Sequence, residues 1–346
     1  MEHQPVSRRD LVGAGLVASG ALAASSAAAS RAPGGLKVGL YSITYLGVWY
    51  RGAALTLEEF IDRANDYGYQ GVEIDGKRPH GNPLDMPRKR CREIRKRAAD
   101  KALDMYAVSA NNDFSSPIVE HRQCQVAYLR ELIRMTADLG AKVLRVFLGW
   151  PGVTKHPQVA RYDIARRIWQ ESHQGFTEDE TWAWCREGLV ESARYAGAFG
   201  VTLALQNHVP VIRDHHDVLR MVREVASPHL KVCLDVPIMP RKDPAYVRQA
   251  ALDVGPLQVL SHFGGDYERH ADGTIKAEPF YLPFVRAMLE IGYRGYMSYE
   301  LCHPLPVVNG QTVGIEYADN SARLAAEFMR GVIAEARKDA LPAGRG

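Results

Sequence analysis

Three ionisable side chains stand where apolar runs end. Asp235 lies in VCLDVP, His262 in VLSHFG and Glu300 in YMSYEL, in that order along the chain. A lone Asp at such a point usually caps the next helix, and a lone His is usually a hydrogen-bonded core residue. Three of them in successive apolar runs need another explanation, because burying each is costly unless it is paired or bound to a cation. Two carboxylates and an imidazole converging on one place suit Mn2+, Co2+, Mg2+ or Zn2+, with Mn2+ as the first choice here. A fourth run, TLALQNHVP (202–210), ends in Gln206, Asn207 and His208. Gln206 and His208 share one alternation phase, so both can face the same side of a strand.

These residues converge only if the runs that carry them are strands opening on one face. From residue 36 onward, short β-branched or aliphatic runs alternate with longer amphipathic segments. The strands read at 36–43, 71–74, 103–110, 141–149, 201–207, 230–236, 257–263 and 295–301. Helical period marks LTLEEFIDRANDYG, VAYLRELIRMTADLG and TWAWCREGLVESARYAGAFG. The last two end in Gly before the next strand, as a helix C-cap does. Eight strands, each followed by a helical segment, predict an α/β fold, a single (β/α)8 TIM barrel over residues 34–340. A doubly wound sheet is the competing architecture, but no GxGxxG follows the first strand and no linker divides the chain. The longest insertion, 148–180, follows strand four. It is expected over the mouth, as a lid or a homo-oligomer contact.

Catalytic groups in such barrels come from the C-terminal strand ends. Strand two offers Glu73 there, followed in its loop by Lys77 and His80. Strand four carries Arg145 and then Trp150, strand five Asn207 and His208, and strand eight His303. Lys77, His80, Arg145, Trp150, Asn207 and His303 are the expected substrate contacts.

The 346 residues are 46% hydrophobic with a formal charge of +3, too small to imply nucleic acid or a membrane as partner. The basic run PRKRCREIRKR (87–97) reads as a solvated helix face. The five cysteines include no CxxC pair and read mostly as small buried apolar residues. Residues 1–33 are set apart. SRRDLV (7–12), the Gly/Ala-rich run GAGLVASGALAA (13–24) and the small residues after it have the layout of a twin-arginine export signal. The expected location is therefore the periplasm, with no membrane contact after signal cleavage.

The strand-five ending in NH, LDV after strand six, SHF in strand seven and GYMSYEL in strand eight together resemble the xylose isomerase-like TIM barrel superfamily. That superfamily includes sugar phosphate isomerases/epimerases, tagatose and psicose 3-epimerases, and AP endonucleases. The resemblance spans about residues 36–335. It implies one divalent metal held by Glu, Asp, His and Glu from strands five to eight, at positions that here are Gln206, Asp235, His262 and Glu300. It also implies a sugar substrate whose carbonyl is polarised by the metal, with the two Glu moving protons on opposite faces of an enediolate.

Two positions depart from the pattern. Ile238 replaces a His common three residues after the Asp, which argues against the three-metal AP endonuclease branch. Gln206 replaces a Glu; an amide oxygen can bind a cation, but at neutral pH it takes no proton. Glu300 is then the expected acid–base residue, with His208 or Glu73 as the second proton-transfer group. The expected function is a metal-dependent sugar isomerase or epimerase. The alternatives are a one-base lyase or hydratase on 3-keto-glycosides or related keto-sugars, and a non-catalytic sugar-binding barrel.

Overall fold

The computed structural model describes residues 35–155, 160–276 and 278–340, so the export signal expected over residues 1–33 lies outside the described residues. In chain order the barrel elements are β1 (Lys37–Tyr41), α1 (Leu57–Asp66), β2 (Gly71–Asp75), α2 (Arg88–Asp100), β3 (Asp104–Ser109) and α3 (Val119–Asp138). Then come β4 (Val143–Val146), α4 (Asp163–Ser172), α5 (Glu178–Phe199), β5 (Thr202–Gln206), α6 (His215–Val225) and β6 (Leu230–Asp235). The circuit ends with α7 (Pro244–Val254), β7 (Gln258–Gly264), α8 (Tyr281–Glu290), β8 (Tyr296–Glu300) and α9 (Ile315–Ala340). All eight strands are parallel, each pairs with its neighbours in sequence, and β8 returns to β1 to close the barrel. This is the (β/α)8 fold that the alternation of runs predicts.

Local chemistry accounts for the elements. Thr56 with Glu59, and Thr177 with Glu180, form capping boxes that start α1 and α5. Gly140 and Gly200 take the left-handed conformation that ends α3 and α5, with φ of 81° and 64°. The strands are shorter than the apolar runs. β1 stops at Tyr41 because Ser42–Tyr45 coil into a 3-10 turn, and β4 keeps only four residues. The basic run lies on α2, where Arg90, Arg97 and Lys96 pair with Glu58, Asp62 and Asp100. All five cysteines are free, and Cys91, Cys185 and Cys233 are buried.

Strand alternation puts Leu203, Leu205, Val232 and Leu234 in the main apolar core. The small residues Ala107, Ala204 and Cys233 form a separate buried cluster with Leu260, with Tyr106 packed against it. Tyr106 stacks on Tyr296 at 3.8 Å between centroids and 8° between planes, and its hydroxyl hydrogen-bonds Ser298 Oγ. Register shifts at Val72/Glu73 and Val232/Cys233 fall just before the polar ends of β2 and β6, the kind of irregularity that re-aims side chains.

The 148–180 insertion lies over the mouth, as its position predicts. It folds as an antiparallel hairpin (Thr154–Lys155 with Ala160–Arg161) followed by α4. Side-chain hydrogen bonds tie it to the loops beyond β3 and β8. Trp169 Nε1 donates to Ser115 Oγ at 2.8 Å beyond β3, and Tyr162 Oη donates to the Cys302 carbonyl beyond β8.

Gly39 and Gly71 leave room for the tyrosine stack, since a Cβ on either would overlap the Tyr106 ring. Gly39→Ala is expected to lower stability by about 1–3 kcal/mol through overpacking. Urea denaturation of the variant against the parent chain checks this; an unchanged midpoint would show that the stack yields freely.

Candidate metal centre

The ends of β6, β7 and β8 bring Asp235, His262 and Glu300 together, with one ligand atom of each within 4.8 Å of the others and all three side chains buried. Register explains the meeting: Asp235 and Ser298 both pair with His262 across neighbouring strands. Gln206 completes the group from β5. Its Nε2 donates to Asp235 Oδ2 at 2.6 Å and lies 3.3 Å from His262 Nδ1. Two buried acceptors here, Asp235 Oδ1 and Gln206 Oε1, have no hydrogen-bond partner. A half-turn about the last torsion of Gln206 exchanges its amide ends and turns Oε1 toward the carboxylates. Two carboxylates, an imidazole and an amide oxygen form a donor set that fits a divalent cation.

Beneath this group lies Glu73, fully buried. Both its carboxylate oxygens are 3.1 Å from His262 Nε2, Ser298 Oγ donates at 2.7 Å, and Ser109 Oγ donates as well. That leaves His262 Nδ1 facing the cluster, 3.5 Å from Glu300 Oε2. Burial alone would lower the His262 imidazole, but Glu73 and Glu300 outweigh it and raise it to about 9. Burial would likewise raise Glu73, yet His262, Ser109 and Arg145 hold it below its ordinary value. Asp235 is pushed well above the carboxylate range by burial and by Glu300 beside it. The cluster crowds the carboxyl groups of Glu73, Asp235 and Glu300 around one imidazole, a repulsion that a cation relieves.

Above it opens a cavity of about 750 Å³. Gln206, Asp235 and Glu300 line its floor, and Lys77, Arg145, Trp150, His208 and His303 line it too, as their strand-end positions predict. Arg145 is buried and committed: it donates to Ser109 Oγ, the Ala110 carbonyl and Tyr41 Oη. His208 packs edge-on to Phe147 and Trp150 and hydrogen-bonds the Val209 carbonyl; desolvation lowers it to about 4, so it is neutral at physiological pH. His303 Nε2 lies 3.2 Å from Asp266 Oδ2.

Three expectations are corrected. Glu73 does not line the cavity, because its oxygens are engaged by His262 and two serines beneath the floor. Asn207 is a clamp between strands: its amide donates to the Asp235 carbonyl at 3.0 Å and accepts from the Asp235 N–H at 2.7 Å. His80 points away from the mouth. It bonds the Leu55 carbonyl, stacks on Phe60 and lines a separate hollow beside α1.

Tyr41, Ser109 and Ser298 were missed. Tyr41 stacks 5.4 Å from His262, donates to Asp75 at 2.6 Å and lines the cavity. Ser298 shares the phase of Glu300 two residues on, which is the signal that could have found it. Among the described residues a second group, Asp214, His215 and His216, also meets the spacing for a metal. There Asp214 already caps α6 and His215 is bonded to Asp253 at 3.0 Å.

Residues 61–330 match the family model described as xylose isomerase-like TIM barrel, and the chain belongs to that family. It is 23% identical over 269 residues to fructoselysine 3-epimerase of Escherichia coli O157:H7, covering 71% of this chain and 86% of that protein. The same fold occurs in D-psicose 3-epimerase from Clostridium cellulolyticum H10, solved with D-tagatose. The two share 19% identity at a TM-score of 0.65, over 86% of this chain and 99% of that one. It also occurs in 3-keto-D-glucoside 4-epimerase from E. coli, with 17% identity and a TM-score of 0.59 over 88% and 99% of the two chains.

Glu73→Gln keeps the shape beneath His262 but removes the charge that orients it. Metal affinity is expected to fall by about 10- to 100-fold, as competition against a fluorescent chelator would measure. Affinity equal to the parent's would leave Glu73 with a packing role only.

Proposed function

We propose that the protein is a divalent-metal-dependent sugar isomerase or epimerase that removes a proton next to a carbonyl. One observation carries the reading: Asp235, His262, Glu300 and Gln206 form a compact donor set, and three of them, Gln206, Asp235 and Glu300, line the floor of a cavity of about 750 Å³. The names of its relatives support the substrate class, since fructoselysine 3-epimerase, D-psicose 3-epimerase and 3-keto-D-glucoside 4-epimerase all act on sugars. Gln206, Asp235, His262 and Glu300 would hold the metal, Mn2+ first among the candidates. When bound, it supplies Lewis-acid polarisation of the sugar carbonyl, which acidifies the adjacent C–H.

The side chains divide the remaining work. Glu300 lines the cavity, and we assign it the proton transfer. Gln206 is confined to binding. His208, two residues on, also lines the cavity and is the second candidate for proton transfer; desolvation favours its neutral form and makes it a weak base, so Glu300 carries the larger share. Arg145, fixed by three hydrogen bonds, presents its charge to the floor without needing to reorganise.

The amide at Gln206 also favours a second reading. With one carboxylate lost from the proton-transfer pair, abstraction followed by loss of a β-substituent needs only one base, which is lyase or hydratase chemistry on a keto-glycoside. Incubating the Mn2+-loaded chain with D-psicose, D-fructose and a 3-keto-glucoside in D2O separates the readings. Deuterium uptake with the skeleton retained supports the epimerase; release of aglycone or water supports the lyase. No exchange with any of them leaves a sugar-binding barrel. Glu300→Gln is expected to slow exchange by about 10²- to 10⁴-fold.

Export belongs to the same proposal and rests on SRRDLV. Replacing Arg8 and Arg9 with Lys is expected to hold the chain in the cytoplasm. Cell fractionation showing equal periplasmic amounts of both forms would exclude twin-arginine export.

A further inference from the structure

The cavity has two ends of different chemistry. Its floor gathers the polar strand-end residues. Its outer wall comes from the insertion and neighbouring loops and is largely apolar, with Trp49, Trp150, Val153, Tyr162, Trp169 and Ile238 facing the same space. The rings form one continuous surface. Trp49 lies 5.0 Å from Tyr162, Tyr162 lies 6.0 Å from Trp150, and Trp150 stacks on Phe147 at 5.1 Å and 14°. Tyr162 and Trp169 are pinned by their own hydrogen bonds to Cys302 and Ser115, so the wall is fixed before any ligand arrives.

Resting on the sugar-site reading above, we propose that this outer half is a subsite for an aryl group joined to the sugar, which makes the substrate an aryl glycoside rather than a free monosaccharide. A single hexose at the floor would leave most of the roughly 750 Å³ unfilled. A second sugar ring would set its hydroxyls against indole and aliphatic surface with few partners, at a cost for each unpaired group. A flat apolar group meets the wall with complementary chemistry, since rigid aromatic surfaces gain from both burial and ring–ring contact. Of the long polar side chains that also border the cavity, Gln170, Lys242 and Glu278 are exposed at the rim, and Arg166, exposed as well, sets its guanidinium 5.3 Å from the centroid of the Tyr162 ring.

Binding to the Mn2+-loaded full chain tests this, with phenyl β-D-glucopyranoside, methyl β-D-glucopyranoside and D-psicose as probes. Calorimetry is expected to show the phenyl glycoside bound at least about tenfold more tightly than the methyl glycoside. Saturation-transfer NMR should place the strongest contacts on the aryl protons. Trp150→Ala and Val153→Asp should each remove most of that preference while metal content stays at the parent level. If Trp150→Ala fails to fold, Val153→Asp decides, because it puts charge into the wall at a half-exposed position. Equal affinity for the two glycosides, a preference unchanged in Val153→Asp, or binding of D-psicose alone overturns the subsite. If the chain takes up no Mn2+, the metal reading fails, and an aryl preference measured on that chain still supports the subsite.

Discussion

The hydrogen bond between Glu73 and His262 is the interaction on which the site depends. Both side chains are fully buried, so each would carry a heavy desolvation penalty alone. Together, with Ser109 and Ser298 donating to the carboxylate, they form a satisfied polar unit inside the barrel. The unit joins four strands: Glu73 from β2, Ser109 from β3, His262 from β7 and Ser298 from β8. It also fixes which imidazole nitrogen faces the mouth. Below it, Tyr106 links the same serine to the ring stack. A column of contacts therefore runs from the barrel interior to the donor set, and the ends of β6 to β8 inherit their placement from it.

The fold was legible because its signals are local and repeat. Strand runs and helical segments alternate around one closed architecture, with glycines ending helices such as α3 and α5, so an error at one boundary leaves the topology intact. The floor was legible for a related reason: an ionisable residue inside an apolar run stands out wherever it occurs. What the sequence hid was direction. Glu73, Asn207 and His80 are polar residues at the right end of the barrel, and nothing in their spacing separates a side chain aimed into the mouth from one that clamps a strand or turns under the floor. The register shift at Val72/Glu73 falls at one such position, and alternation counted along a run does not register it. Tyr41 was hidden for the opposite reason, because an aromatic at a strand end resembles ordinary core.

The roof has a different origin from the floor. Strand ends are held by the barrel's hydrogen-bond ladder, whereas the insertion is held largely by side-chain bonds to loops, among them those to Ser115 and Cys302. Change in the insertion can therefore alter what the outer cavity accepts without disturbing the donor set. This is the usual separation in such barrels between a conserved geometry at the strand ends and loops that decide specificity.

Gln206 marks where electrostatics and chemistry pull apart. A carboxylate there would join Asp235 and Glu300 in a buried pocket that already pushes Asp235 far above its ordinary range. The amide removes one charge from that crowd and donates to Asp235 instead, which steadies the floor when no cation is bound. The same substitution lowers the negative charge available to a cation and removes a proton acceptor from the β5 side. On the proposed function, proton traffic then passes through Glu300, with the neutral His208 imidazole lining the β5 side of the mouth. A site built this way is asymmetric in its acid–base groups, with a carboxylate on the β8 side of the mouth and a neutral imidazole on the β5 side.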